Sequence, residues 1–192
     1  MNPYDTDVRL VWYLDFLHTR AGGGYEIFSV QPREESDGRV LAVAYRDVPE
    51  RGYVTGFTYG ASLVSANRDV RHRELTITMR STDTEWARVP AALVAAFRGM
   101  REFNFGNVIG HVRPYVDHSP MSSVFLVNPV NVWRDRESES RLNGPILDGV
   151  KVGFVGVYPI HRSEFEYIRA NKVKDFLTLG GDFMDPLRAP VV

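Results

Sequence analysis

The sequence has no cysteine. That absence removes disulfides, thiolate metal sites, iron–sulfur ligation and a cysteine nucleophile, and it suits a reducing compartment. Lysine is scarce too: of the 23 basic residues, only Lys151, Lys172 and Lys174 are not arginine. Codon usage in a GC-rich genome accounts for that skew better than a binding chemistry does. No charge of one sign dominates. Against the 23 basic residues stand 24 acidic ones, for a net charge of −1, which leaves no electrostatic footprint for nucleic acid or an anionic membrane. Nor is there a long hydrophobic run. Val8–Leu17 is broken by Arg9 and Asp15, and no stretch approaches the roughly 18 apolar residues of a membrane span. The acidic opening lacks the positive stretch of a leader, so the sequence reads as that of a cytoplasmic protein.

What is present is ordinary globular composition: 192 residues, 44% hydrophobic and 24% charged, about one domain at roughly 150 residues per domain. A first helix, capped by Asp5 or Thr6, is expected to run to about Arg20, because Leu10, Tyr13, Leu14 and Leu17 repeat at helical spacing. Gly22, Gly23 and Gly24 stop it. The period then changes to two, predicting strands at Tyr25–Val30, Val40–Tyr45, Gly52–Tyr59 and Arg73–Arg80. In the last of these, Leu75, Ile77 and Met79 lie on one face and Glu74, Thr76 and Thr78 on the other. Thr82 with Glu85 signals a capping box, and Pro90 fits a first helical turn. The helix they open ends near Met100, with Leu93, Val94, Phe97 and Met100 inward. Phe103–Val112 holds a short strand. Ser123–Val132 and Val150–Val157 are apolar strands, the second central in its sheet. Ser163 and Glu166 form another capping box, opening a helix through Arg169, and Val173–Leu179 adds a further turn or two.

Strands in tandem, without a crossover helix each time, predict an α+β fold: a single domain whose mixed, mostly antiparallel β-sheet is packed with helices. Its parts are an N-terminal helix (1–22), a core (25–180) and an extended tail (182–192).

The search for catalysis fails template by template. The three glycines lack the Gly-Lys-Ser/Thr of a phosphate loop, and Ser62 is not flanked as a nucleophile elbow requires. The glycines around it fit a bulge or a close backbone approach. His111, Asp117 and His118 could hold a metal on paper. The two histidines share no helix face, however, and Pro114 and Pro120 make the segment a loop, so a surface loop is the simpler reading. Glu164 and Glu166 point to different sides of a helix and cannot work as an acid/base pair. No catalytic, cofactor-binding or metal-binding residues survive. By elimination the sequence describes a non-enzymatic binding protein; a hydrolase built on His111, Asp117 and His118 is the enzymatic alternative.

Several segments, in order, resemble the Suppressor of fused domain family. Gly52-Tyr-Val-Thr-Gly-Phe-Thr-Tyr-Gly-Ala-Ser62 is similar to its glycine-bearing strand ending in Gly-x-Ser, and Arg73-Glu-Leu-Thr-Ile77 resembles its Glu-Leu strand. A tryptophan-led helix at Trp86–Phe97 follows, then Phe103-Asn-Phe-Gly106-Asn-Val-Ile109. The strongest match is Val150 to Ile160 with its Pro159-Ile160 ending, followed by Ser163-Glu-Phe-Glu166. Phe176-Leu177 and Asp185-Pro-Leu-Arg188 fit the family's ending. The pieces are short, and their order over Tyr25–Arg188 carries the resemblance. Tyr59 departs from the animal members, and the sequence lacks the second domain with which the animal Hedgehog-pathway regulator closes around its transcription-factor peptide. The resemblance therefore implies a different role, that of single-domain bacterial members that look like immunity proteins of polymorphic toxin systems. The implied partner is a cognate toxin protein, often a nuclease. The alternative is a regulatory adaptor that binds a peptide or protein partner in a groove or by β-augmentation.

The segment Trp133-Arg-Asp-Arg-Glu-Ser-Glu-Ser-Arg141 has two readings. It is a solvated charged loop with Trp133 tucked into the core, or it recognises the partner. In the second reading Trp133, if exposed, anchors the contact, flanked by Arg134 and Arg141. Asp135, Glu137 and Glu139 then mimic phosphates against a basic surface.

Overall fold

The computed structural model describes residues 7–63, 72–133, 143–171 and 173–192. The chain opens with α1 (Val8–Ala21), capped by Asp7, whose carboxylate accepts from the Leu10 N–H at 3.0 Å. Asp7 caps the helix from three residues before the first inward leucine; Asp5 and Thr6, the caps expected from the sequence, lie outside the described residues. Four strands follow: β1 (Tyr25–Val30), β2 (Val40–Arg46), β3 (Val54–Tyr59) and β4 (Arg73–Met79). After α2 (Glu85–Phe97) come β5 (Val108–Gly110), β6 (Ser123–Val127), β7 (Asn143–Leu147) and β8 (Val150–Ile160), then α3 (Arg162–Ala170) and α4 (Val173–Thr178).

These strands form one mixed sheet in the order β1-β2-β3-β4-β8-β6-β5, with β7 also paired to β8. Only β4 and β8 run parallel, from Arg73 opposite Gly153 to Thr76 opposite Gly156; every other pair is antiparallel. The expected α+β architecture and the central place of β8 are both observed.

Two cores explain why β2 is apolar without alternation: a strand covered on both faces has no polar side to show. On one face Val40, Ala42 and Ala44 pack with Leu75, Ile77 and Met79 beneath Trp86, Leu93 and Val94 of α2. On the other, Tyr45, Phe57 and Phe154 pack with Trp133 beneath Leu10, Tyr13 and Leu17 of α1. Phe125, Ile160, Phe165, Ile168 and Phe176 form a third cluster, under α3 and α4.

Gly56 sets how closely α2 approaches the sheet. A Cβ there would lie 2.5 Å from the Ala87 Cα and 2.6 Å from its carbonyl oxygen, both backbone atoms that cannot step aside. Gly56→Ala is expected to destabilise the fold by roughly 1–3 kcal/mol. A urea titration checks this; an unchanged midpoint would mean that α2 is free to shift.

Several local expectations are corrected. The α2 start is held by Asp83, whose carboxylate accepts from the Glu85 N–H, and by Ser81, whose hydroxyl accepts from the Asp83 N–H; Thr82 is not the cap. Pro90 lies inside the helix, not in its first turn; packing of the flanking apolar residues overrides the lost N–H. Met100 is 61% exposed, past the helix end, where its sulfur accepts from Arg33. Asn143, Gly144 and Pro145, turn formers by residue type, lie in strand β7, which is joined to β8 through Asp148 and Gly149, both at positive φ. The capping carboxylate of α3 is Glu164, which accepts from the His161 N–H at 2.7 Å; Glu166 pairs instead with Arg162, one turn away on the exposed side. The tail is not simply extended. It turns at Asp182–Asp185 and again at Asp185–Arg188, and folds back against α3.

Candidate functional site

Glu74 belongs to the polar face of β4, yet it is fully buried. Pairing between β3 and β4 is regular only as far as Phe57 opposite Thr76. Beyond that point the Thr58 hydroxyl accepts the Leu75 N–H at 2.8 Å and donates to Glu74 at 2.6 Å. The chain then turns through Gly60 at φ 130°, where a Cβ would meet the Arg39 carbonyl at 2.5 Å, so only glycine fits. This turn aims three successive N–H groups, of Gly60, Ala61 and Ser62, at the Glu74 carboxyl oxygens, at 3.0 to 3.1 Å. The Ser62 hydroxyl adds a fifth donor at 2.6 Å. Arg9 donates to that hydroxyl at 2.9 Å and pairs with Asp148, and Arg98 holds the carbonyl of Gly60 from the other side at 2.8 Å. Two tyrosines close the region. Burial pushes the Tyr59 hydroxyl up to about 12, against the pull of Arg9, and burial, followed by the Glu74 charge, raises that of Tyr13 as well. Both therefore act as donors at neutral pH, Tyr13 to the Thr58 carbonyl and Tyr59 to Asp7.

With five donors and no exposed surface, Glu74 has no room to act as a base. It is a rivet joining the end of β3 to the start of β4.

Other sequence motifs meet in the same manner. The Arg73 guanidinium donates to the Phe103 carbonyl and the Asn104 side chain and lies 5.1 Å from the centre of the Phe105 ring. Arg188 grips buried Glu164 with both nitrogens, at 2.5 and 2.6 Å, and stacks over Phe183. Each motif is one half of a contact whose other half lies far along the chain.

The candidate metal ligands are not brought together. His111 stacks on Tyr115 and its Nδ1 faces the Arg113 carbonyl, whereas His118 faces Asp83 at 3.7 Å. Among the described residues no three His, Asp or Glu side chains gather as metal ligands.

Trp133 is 4% exposed and stacks flat on Phe57, with ring centres 5.5 Å apart. It is a core residue, so the reading that needs it on the surface as an anchor is not met: the aromatic cluster of α1 and the sheet claims it. Arg134, Asp135, Glu137, Glu139 and Arg141 lie outside the described residues.

The exposed aromatic is a different tryptophan. Trp12 is 66% exposed on the outer side of α1, with Val8 at 67% and Val11 at 47% on the same helix. Trp12 also lines a shallow groove with Asp15, Phe16, Pro145 and Ile146, the last 71% exposed. The signal was available in the sequence, since Trp12 falls off the Leu10-Tyr13-Leu14-Leu17 stripe. Among the described residues no helix is long and apolar enough to cross a membrane.

No curated protein matches the chain. Among solved structures it is similar to a putative Suppressor of fused homologue from Neisseria gonorrhoeae, at 16% identity and a TM-score of 0.63, over 96% of this chain and 94% of that one. It is also similar to a chain of the Sufu-Fu complex, at 13% identity and a TM-score of 0.59, over 86% and 85%. A third similar structure is Suppressor of Fused from Drosophila, at 13% identity and a TM-score of 0.52. There the match covers 80% of this chain but 42% of the fly protein. The family model of the Suppressor of fused protein matches residues 35–188, a span that holds the Glu74 rivet, the Arg73 cradle and the Glu164–Arg188 pair, and the chain belongs to the Suppressor of fused family.

Proposed function

We propose that this protein is a non-enzymatic protein-binding module, an immunity protein that binds and neutralises a cognate bacterial toxin domain. The observation that carries the binding role is the Trp12 patch. A large aromatic two-thirds exposed, beside Val8, Val11 and Ile146, is surface that a partner gains by covering. The buried Glu74 and Glu164 are meanwhile consumed by internal contacts, which leaves the surface to do the work. A protein of the same fold crystallised in the Sufu-Fu complex supports the class of function. In this reading Trp12 and Ile146 supply the contact surface, and Asp135, Glu137 and Glu139, which lie outside the described residues, steer a basic toxin by long-range attraction.

Co-expression with the protein encoded next to it should give a stable complex and relieve that protein's toxicity. Failure with every neighbouring product overturns the proposal. Within the complex, Trp12→Ala is expected to lower affinity by about thirtyfold, near 2 kcal/mol. Replacing the three acids with Ala should instead slow association, more at low salt than at high. Unchanged affinity and salt dependence would place the interface elsewhere.

A further inference from the structure

We infer that a partner inserts an extended segment along the open edge of β1 and seats a basic side chain in the groove where that strand begins. The inference rests on the protein-binding reading and adds a second contact to that of the Trp12 patch.

β1 ends the sheet. Its six residues pair with β2 without a register shift, from Tyr25 opposite Tyr45 to Val30 opposite Val40. On the outer side, alternate N–H and C=O groups point away from the sheet. Among the described residues, no hydrogen bond from another element reaches the backbone of residues 25–30 on that side. Edge strands are ordinarily guarded by charged side chains, lysine above all, by proline or by a bulge, and Tyr-Glu-Ile-Phe-Ser-Val has no lysine, proline or bulge. Its one charge, Glu26, is neutralised by Arg46 at 2.7 Å. Ile27 packs toward the α1 core, and Phe28 and Val30 toward the α2 core. An added strand would therefore continue an apolar layer on both faces, which commits the occupant to an extended segment with uncharged residues beside Ile27 and Phe28.

The groove supplies the selectivity. The groove has a volume of about 800 Å³ and lies between the end of α1 at Gly22, the start of β1 at Tyr25 and Glu26, the Arg46-Asp47 turn and the chain at Val132 and Trp133. Volumes of this size accept a large side chain. Glu26 and Asp47 outnumber Arg46 by one charge, and the carbonyl end of α1 adds to the negative side. Arg20 of the last helical turn stacks over Phe16 instead. The ring of Tyr25, 40% exposed, suits a guanidinium or an ammonium group. Charge and walls together fit arginine or lysine and reject an acid.

The test is a phage-displayed library of random dodecapeptides panned on the full chain, with enriched peptides synthesised and titrated. Enriched sequences should alternate apolar residues and carry Arg or Lys at one fixed position. Ser29→Lys adds the missing guard at an exposed site and should weaken binding by about tenfold or more. Asp47→Asn removes a charge while keeping a residue that tolerates the positive φ there, and it should abolish the preference for Arg over Gln. Melting curves of both variants should match the wild type, which separates lost binding from lost fold. The inference is overturned by a panel without enrichment or by peptides that bind the Ser29→Lys chain equally well. Wild-type dimers that Ser29→Lys dissociates would also overturn it, giving the edge to a second copy. A neighbour-encoded partner that still binds both variants overturns this surface alone. A chain that binds these peptides but no neighbour overturns the immunity reading and leaves the edge standing.

Discussion

Glu74→Gln and Glu74→Ala are expected to lower the stability of the protein by roughly 3–5 kcal/mol, enough to leave a marginal chain largely unfolded. The side chain is fully buried and accepts five hydrogen bonds, three of them from the consecutive N–H groups of Gly60, Ala61 and Ser62. Truncation to alanine leaves those donors facing a cavity, and each buried donor without an acceptor costs about 1–3 kcal/mol. Glutamine keeps the shape, but its amide presents hydrogens to donors that need an acceptor. Ser62→Ala removes one donor and leaves the other four, so its cost should be smaller, about 1–2 kcal/mol. Urea denaturation of the three variants checks the order. If Glu74→Gln unfolds at the wild-type midpoint, the cradle is not a rivet and Glu74 is present for another reason.

The second large effect belongs to the tail. Arg188→Met should cost about 3–5 kcal/mol, because it strands the fully buried Glu164 without its cation. The double variant Glu164→Gln/Arg188→Met should recover part of that loss, because neither charge is then left alone. The pair also sets an acid limit. Burial alone would raise the Glu164 carboxyl, but Arg188 and the N–H groups of Val191 and His161 outweigh it and hold the group below its ordinary value. A depressed carboxyl contributes stability that is fully present above the unfolded value of about 4.3 and is lost as the pH falls through the lower, folded value. Stability measured from pH 7 down to pH 3 should therefore fall steeply below about pH 4 in the wild type. The double variant should fall less. Equal slopes would show that other carboxylates carry the acid sensitivity.

The fold was legible where periodicity decides it. The stripe Leu10-Tyr13-Leu14-Leu17 named a helix that buries all four residues, and the alternation over Arg73–Arg80 named strand β4 with Leu75, Ile77 and Met79 inward, although Glu74, Thr76 and Thr78 are buried as well. The polar partners of β4 were not legible. Glu74 read as the solvent side of an alternating strand, because period two reports two faces and not whether both are covered. Its burial follows from a turn 12 to 14 residues earlier in the chain. The same holds for Glu164, whose partner Arg188 is 24 residues away. Capping rules found the right helix and the wrong carboxylate, since Ser163 and Glu166 have the same spacing as His161 and Glu164. Strand β7 was missed because Gly144 and Pro145 signal a turn. Gly144 is needed there because β8 passes close by, a Cβ falling 2.2 Å from the Val152 carbonyl. Trp12 and Trp133 show the same division. Helical phase puts Trp12 outside, whereas no local pattern says that Trp133 will lie flat on Phe57.

The central claim is that the surface of this protein, and not its buried carboxylates, performs its function. Its most direct test is one titration: the purified chain and its Trp12→Ala variant against the purified product of the adjacent gene, with melting curves recorded for both. The account predicts a stoichiometric complex for the wild type, an affinity about thirtyfold weaker for Trp12→Ala, and the same melting temperature for the two. Equal affinity for both chains, or no complex with the wild type, would contradict it.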